Sequence, residues 1–349
     1  MAYKYKHFIP QNIAPNGAES IGVYDSNGNK VQTIQLGRLA PVTNEKLYSF
    51  GLVSDVHIHQ TTPEWKADTK LDATLSYFEE YGCDFCVQCG DLVNEGFYVS
   101  IDGSVQFSTG QWDRYDSVRQ KHTIPIYGIC GNHESYNSHP VTDHLDYLNT
   151  YTGKSAVSFT LSVNETTERN EQVSVLGDDV FILVGQPSQS VVMSDTDFTW
   201  LGETLEANKD KRCFVFVHPY IEEDSGDAMD VRENSIFDYW GTTKTTAFIN
   251  LLNQYENVIL FHGHSHMKFE NQVYDVNANY TERNGFKSVH IPSLSIPRDI
   301  NFDTMASQDD RSGSQGYIVD VYDDCIVLNG MDFINEIPVP LGTYKIKTV

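Results

Sequence analysis

Six short apolar runs punctuate the chain: YSFGLV (48–53), FCVQC (85–89), IPIYGI (124–129), VFILVG (180–185), CFVFV (213–217) and VILF (258–261). They are rich in β-branched and aromatic residues, and most lack a clean polar alternation, which is the pattern of strands covered on both faces. Stretches of helical spacing lie between them. TKLDATLSYFEEYG (69–82) places Leu71, Leu75 and Phe78 on one face and ends at Gly82, a C-cap signal. Residues 111–122, 142–151, 195–208 and 243–257 read the same way. Strand alternating with helix predicts a layered α/β domain.

The two ends differ from this middle. IGVYDSNGNKVQTIQL carries β-type residues on either side of DSNGNK, whose Asn-Gly is a strong turn signal. It predicts a β-hairpin extension over residues 1–46 ahead of a main domain at 47–349, serving either as extra strands on the core or as an attachment module. The C-terminal stretch from Gly316 also reads as strands and turns. Polar stretches at 100–110, 162–174, 221–235 and 299–315 are expected to be long surface loops.

With 40% hydrophobic, 12% aromatic and 21% charged residues in 349, the composition is that of an ordinary globular protein. A formal charge of −24 argues against direct binding of a nucleic-acid backbone, which needs clustered Lys and Arg. An anionic substrate would need local cations, and bound metal ions can supply them. MAYKYKHFIPQNIAPNG has no apolar stretch of the secretory type, and no run reaches the 18 apolar residues of a membrane span, so a cytoplasmic location is expected. Cys83, Cys86 and Cys89 have a spacing that can signal zinc or iron–sulfur ligation. Their segment reads instead as a buried strand with no fourth cysteine nearby, and predicts small reduced core residues.

The chemistry lies just past the strands. After YSFGLVS comes Asp55-Val56-His57; after FCVQC, Gly90-Asp91; after IPIYGIC, Gly131-Asn132-His133-Glu134; after CFVFV, His218; after VILFH, Gly263-His264-Ser265-His266. In an open α/β sheet the loops beyond the carboxyl ends of the strands form the ligand crevice, so these groups should converge. Carboxylate, imidazole and amide oxygen suit borderline divalent metals such as zinc, manganese or iron. Asp55 and His57 are two apart, as are His264 and His266 after a glycine that lets the backbone bend. Seven candidate ligands are too many for one four-coordinate ion and about right for two ions sharing a bridge.

The ordered series D-x-H, G-D, G-N-H-E, H and G-H-x-H, from about Ser54 to His266, resembles the calcineurin-like metallophosphoesterase superfamily. The resemblance implies a four-layer α/β/β/α sandwich with mixed sheets and a centre of two divalent transition-metal ions, drawn from Mn, Fe, Zn or Ni. Asp55, His57 and His266 would hold one ion; Asn132, His218 and His264 the other; Asp91 would bridge them. His133 would sit beside the leaving group. The implied reaction is hydrolysis of a small phosphate ester by a hydroxide bridging the ions, with His133 polarising an oxygen or protonating the leaving group.

The branch is less defined. GDLVNEG lacks the arginine of the protein-phosphatase pattern, Asn94 stands where purple acid phosphatases carry a tyrosine, and GNHESY replaces the nucleotidase-like G-N-H-E-F-D. D-x-H with G-H-x-H leans toward a phosphodiesterase. His59, Asn94 and Arg298 are candidate substrate contacts: Asn94 reads equally as a turn residue, and Arg298 either as a bidentate grip on a phosphate oxygen or as half of a surface salt bridge. His139 and His144 fall in a segment that could reach substrate, and His262 reads as a strand residue. A second reading, a structural or attachment component of a phage-like particle docked through the N-terminal hairpin, is opposed by the intact ligand set.

Overall fold

A computed structural model describes residues 20–24, 30–35, 42, 44–61, 65–138, 162–163, 171–186, 193, 195–221, 236–271, 279–301 and 306–348. In chain order, strands β1 (Ser20–Tyr24) and β2 (Lys30–Gln35) pair with each other as the expected hairpin. The core begins with β3 (Tyr48–Val53), helix α1 (Ala67–Tyr81), β4 (Phe85–Cys89), a hairpin of β5 (Tyr98–Ile101) and β6 (Ser104–Phe107), α2 (Gly110–Arg119) and β7 (Ile126–Ile129). It continues with β8 (Ser162–Val163), β9 (Glu171–Leu176), β10 (Asp179–Val184), α3 (Asp195–Ala207), β11 (Arg212–Val217), α4 (Ile236–Leu252) and β12 (Val258–His262). The remaining strands are β13 (Tyr280–Glu282), β14 (Lys287–His290), β15 (Arg298–Asn301), β16 (Ala306–Asp309), β17 (Gln315–Val321), β18 (Cys325–Asp332), β19 (Ile337–Pro338) and β20 (Tyr344–Lys347).

Two mixed seven-stranded sheets result. One runs β19-β18-β17-β3-β4-β7 with β20 on β18, and its β3, β4 and β7 are parallel; the other runs β13-β14-β12-β11-β10-β9-β8, with β10, β11, β12 and β14 parallel. The apolar runs show why the sheets stack. Along β10 and β11, Phe181, Leu183, Phe214 and Phe216 face the other sheet, where they meet Phe50, Leu52 and Phe85. Val180, Ile182, Val215 and Val217 turn outward onto Leu201 and Leu205 of α3 and Phe248 and Leu252 of α4. On the opposite outer face Val53, Cys86 and Ile126 receive Leu71, Leu75 and Phe78 of α1 and Trp112 and Tyr115 of α2. Each fully buried side chain of this size contributes roughly 1.5–3 kcal/mol. The layers are α/β/β/α, as the resemblance implied.

Cys86 and Cys89 fall in different cores, one on each face of β4, so the Cys83-Cys86-Cys89 spacing cannot gather its thiols around one ion. All six cysteines are free thiols. At the end of the sandwich away from the ligand loops, Arg212 grips both oxygens of Asp179 (2.6 and 2.7 Å) and Tyr48 donates to the same carboxylate at 2.6 Å, tying the sheets together. No helix among the described residues is long and apolar enough to cross a membrane.

Some expectations change. The polar stretches at 100–110 and 299–315 hold the hairpins β5–β6 and β15–β16, and 162–174 holds β8 and the start of β9; at four residues each, the strands of these two hairpins are too short for their alternation to stand out. Helix α4 starts at Ile236 and ends at Leu252, where 243–257 was expected. Tyr255 keeps the helical spacing but packs from the turn after the helix. The expected helix at 142–151, the loop at 221–235, and His139 and His144 lie outside the described residues.

Candidate active site

The carboxyl ends of β3, β4 and β7 in one sheet and of β11 and β12 in the other point to one place. Past β3 and β4 the two loops stay zipped by backbone bonds: Asp55 N to Gly90 O (3.1 Å), His57 N to Asp91 O (2.9 Å) and Ile58 N to Leu92 O (3.0 Å). Gly263 N donates to His218 O at 3.0 Å, fixing the β12 turn against the end of β11.

Donor atoms gather there in two overlapping sets. Asp55, His57, Asp91 and His266 each offer an atom within 4.8 Å of the others, and so do Asp55, Asp91, His218 and His264. In the first set His266 Nε2 lies 3.0 Å from Asp55 Oδ1 and 3.1 Å from His57 Nε2. In the second His218 Nε2 lies 3.1 Å from Asp91 Oδ2, 3.1 Å from His264 Nδ1 and 3.2 Å from Asn132 Oδ1. Asp91 Oδ2 also stands 3.7 Å from His57 Nε2, so one oxygen serves both sets. All seven residues expected as ligands are therefore together. Asp55 belongs to both sets as well, though its Oδ1 is 3.9 Å from His218 Nε2.

The backbone that aims them is unusual. Asp55, His57, Asp91, His264 and His266 have φ of 54°, 50°, 52°, 70° and 62°, the left-handed region that side chains normally avoid. Gly263, expected to supply the bend, has no positive φ; it supplies closeness. A Cβ there would lie 2.0 Å from Ser54 Oγ and 2.8 Å from Asp55 Oδ2, and one at Gly131 would lie 2.2 Å from Asp91 Oδ1.

Each carboxylate divides its oxygens. Asp55 Oδ2 accepts from His264 N (3.0 Å) and Asp91 Oδ1 from His133 N (2.9 Å), while Asp55 Oδ1 and Asp91 Oδ2, both buried, have no hydrogen-bond partner among the described residues. His218 Nδ1 donates to Cys89 O at 2.8 Å, which leaves Nε2 as the inward donor atom. Orphaned anionic oxygens facing imidazole nitrogens are the donor set of a divalent transition metal, and the residues fit one.

Electrostatics agree. Burial opposes ionisation of Asp55 and Asp91, yet the surrounding histidines hold both carboxyls below the usual carboxylate range, His266 leading for Asp55 and His218 for Asp91. Burial lowers His57 and His266, and burial followed by the neighbouring His218 takes His264 down to about 3. His218 goes the other way: burial is outweighed by the charges of Asp91 and Asp55, which raise it to about 9 in the metal-free protein.

His133 stands at the rim, its ring 4.4 Å from that of His57 between centroids and its Nε2 3.9 Å from Asp91 Oδ2. Burial lowers its pKa to about 4. Its Nδ1 donates to Asn94 O at 2.6 Å. Asn94 thus meets the site through its main-chain carbonyl. His59 is half-buried, edge-on to Trp65 at 5.9 Å. Arg298 is docked on the histidine turn through Arg298 N to His266 O at 2.7 Å. His262 bonds Ser288 Oγ at 3.2 Å within β12, outside both donor sets.

Sequence reasoning gave Glu134 no role. Its buried carboxylate accepts from Gly131 N (2.6 Å), Asp91 N (3.1 Å) and Val93 N (3.0 Å), clamping the β4 and β7 loops to each other. Burial and then the Asp91 charge push its carboxyl up to about 8 against these donors. The only sequence signal was its place in G-N-H-E. Tyr136, tilted by 36° against His133 with centroids 4.0 Å apart, and Tyr220, at 6.0 Å from His264, were likewise missed because single aromatic residues past the strand ends carry no periodicity.

Among solved structures, the chain is similar to a dimetal phosphatase from Danio rerio, at 13% identity and a TM-score of 0.60 over 87% of this chain and all of that one. It is also similar to a purple acid phosphatase from yellow lupin (14%, TM-score 0.53, covering 94% of this chain and 59% of that one) and to GAP50, the anchor in the inner membrane complex of Plasmodium (10%, TM-score 0.53, 87% and 90%). At such identities these likenesses establish the fold. No curated protein matches the chain. The family model for calcineurin-like phosphoesterases matches residues 48–268, more than half of the sequence and every one of the strand-end loops described above, and the chain belongs to that family.

Proposed function

We propose that this protein hydrolyses a small phosphate ester at a centre of two divalent transition-metal ions. The observation that carries the reading is the pair of overlapping donor sets sharing Asp91 Oδ2. Asp55, His57 and His266 would hold one ion, Asn132, His218 and His264 the other, with Asp91 between them. When bound, such ions activate a water and offset the charge of a phosphoryl group. The chain's own residues do the rest. Glu134 fixes the loops that present Asp91 and Asn132, and Cys89 O sets the His218 tautomer. Asn94 O, by accepting from Nδ1, leaves His133 Nε2 unprotonated and turned toward the cleft, where it can take a proton from the attacking water and pass it to the leaving oxygen.

The diester preference and the phage-attachment reading gain no support from the site or from the structural relatives. The test is metal analysis of protein prepared with manganese, iron, zinc or nickel, paired with turnover of aryl phosphates. Near two equivalents per chain are expected, together with metal-dependent hydrolysis. Fewer than one equivalent in metal-replete protein rejects the dinuclear centre.

A further inference from the structure

Arg298 is held against the centre by main-chain bonds on both sides. Its N–H donates to His266 O at 2.7 Å and its carbonyl accepts from Lys268 N at 3.1 Å, so Met267 and Arg298 form a bridge in register. The base of this side chain cannot drift from the histidine turn. The side chain is 39% exposed, and its Nε pairs at 3.4 Å with the 38%-exposed Asp309 side chain across the β15–β16 hairpin. Such a surface pair is weak. It engages the Nε edge, and among the described residues the two terminal nitrogens make no hydrogen bond. In a chain of charge −24, an uncommitted cationic fork beside buried histidines has an anion as its natural ligand.

Tyr136 stands on the His133 side of the same cleft. Its ring packs against His133 at a tilt of 36° with centroids 4.0 Å apart, and its hydroxyl interacts with the Asn132 side chain, with Asp91 and Arg298 both within electrostatic reach. Arg298 likewise acts electrostatically on His266. The two side chains therefore border the centre from the His133 and His266 ends.

We propose that Arg298 and Tyr136 form a grip for the one phosphoryl oxygen that does not face the metal centre, which makes a phosphomonoester, rather than a phosphodiester, the preferred substrate class. The inference rests on the phosphoesterase reading above. A monoester near pH 8 is a dianion with three non-bridging oxygens; with two directed at the centre, the third is left for a donor. A diester has only two such oxygens, and its second ester arm takes the direction of the third. A guanidinium there gives charge-assisted hydrogen bonds to the first substrate and meets a carbon substituent in the second.

The experiment measures kcat/KM for 4-nitrophenyl phosphate and bis(4-nitrophenyl) phosphate with metal-loaded wild type, Arg298→Ala, Arg298→Lys and Tyr136→Phe, together with calorimetric titration of inorganic phosphate. Arg298→Ala is expected to lower monoester kcat/KM by about 30-fold and phosphate affinity by about 10-fold, the range for a lost hydrogen bond to a charged group. Diester kcat/KM should fall less than about threefold, with metal content unchanged. Tyr136→Phe should show the same asymmetry at about fivefold, and Arg298→Lys should recover part of the loss. Equal losses on both esters, or a loss on the diester alone, overturn the proposal. If the wild type turns over neither ester, the phosphoesterase reading fails, and the phosphate titration still decides this one: unchanged affinity in Arg298→Ala overturns it.

Discussion

Gly263→Ala adds one methyl group where the two halves of the centre come closest. Its Cβ would fall 2.7 Å from Ser54 Cβ, a contact that no rotamer relieves. Ser54 Oγ, at 2.0 Å, is bound to Cys89 O, and Asp55 Oδ2, at 2.8 Å, accepts from His264 N. Ordinary contact begins at 3.4 Å, so the Asp55 loop and the His264 turn have to separate by about 0.7 Å at the Cβ pair. Overpacking of this kind costs about 1–3 kcal/mol. The displacement falls on the contact between Asp55 Oδ1 and His266 Nε2, and misplacing catalytic groups by about 1 Å costs on the order of 100-fold in rate. Thermal unfolding should show a melting temperature several degrees lower, metal analysis should show less bound metal, and kcat/KM for an aryl phosphate should fall by about two orders of magnitude. Ser54→Gly in the same chain removes two of the three close contacts and should return a large part of both losses, giving a positive coupling in the double-mutant cycle. A Gly263→Ala protein with full metal content and full turnover would refute the claim that this close approach sets the position of Asp55.

Asp91→Asn should leave a folded protein that binds less than half the metal of the wild type and hydrolyses aryl phosphate at least about 100-fold more slowly, measured by elemental analysis and steady-state kinetics. Asp179→Ala strips Arg212 and Tyr48 of their shared acceptor; urea unfolding should show a loss of about 3–5 kcal/mol, while turnover at 25 °C stays unchanged because the pair lies at the opposite end of the strands. Glu134→Ala leaves three buried N–H groups without an acceptor and should cost about 1–3 kcal/mol, with faster hydrogen exchange at Asp91 and Val93. Glu79 gives a pH test. Burial opposes its ionisation, but bonds from His122, Thr123 and Ile124 bring its carboxyl from 4.5 down to about 2. A depressed carboxyl stabilises the fold above its unfolded value and loses that contribution as protons are added. The stability difference between wild type and Glu79→Gln should therefore be full above about pH 5 and shrink as the pH falls toward 2; a difference that grows in that window contradicts the assignment.

The strands, and the polar residues that cluster past their ends, could be read from the sequence because both faces of the sheets are buried. Runs such as VFILV and CFVFV then stand out as apolar blocks, and whatever polar residue follows a block is conspicuous. The short hairpins β5–β6 and β15–β16 lack such a block, and Arg298 could be named without the hairpin that holds it. What the spacing did not show is which residues carry the bends that bring neighbours two apart into the site. In an extended strand such residues point the same way and stand about 6.7 Å apart. Left-handed backbone at Asp55 and His57, and at His264 and His266, draws each pair into the turn, at a cost on the order of 1–2 kcal/mol per residue. Such strain persists only where surrounding bonds fix the chain. Here Asp55 N and His57 N are bound to the β4 loop, Gly263 N to His218 O, and His266 O to Arg298 N. Gly131 and Gly263 are glycines because the carboxylates have to pass within a Cβ's width of them, and it is the aspartates and histidines that carry the bends. Truncating a histidine side chain therefore leaves the strain in place, so loss of metal in such a variant reports the missing donor atom and not a relaxed loop.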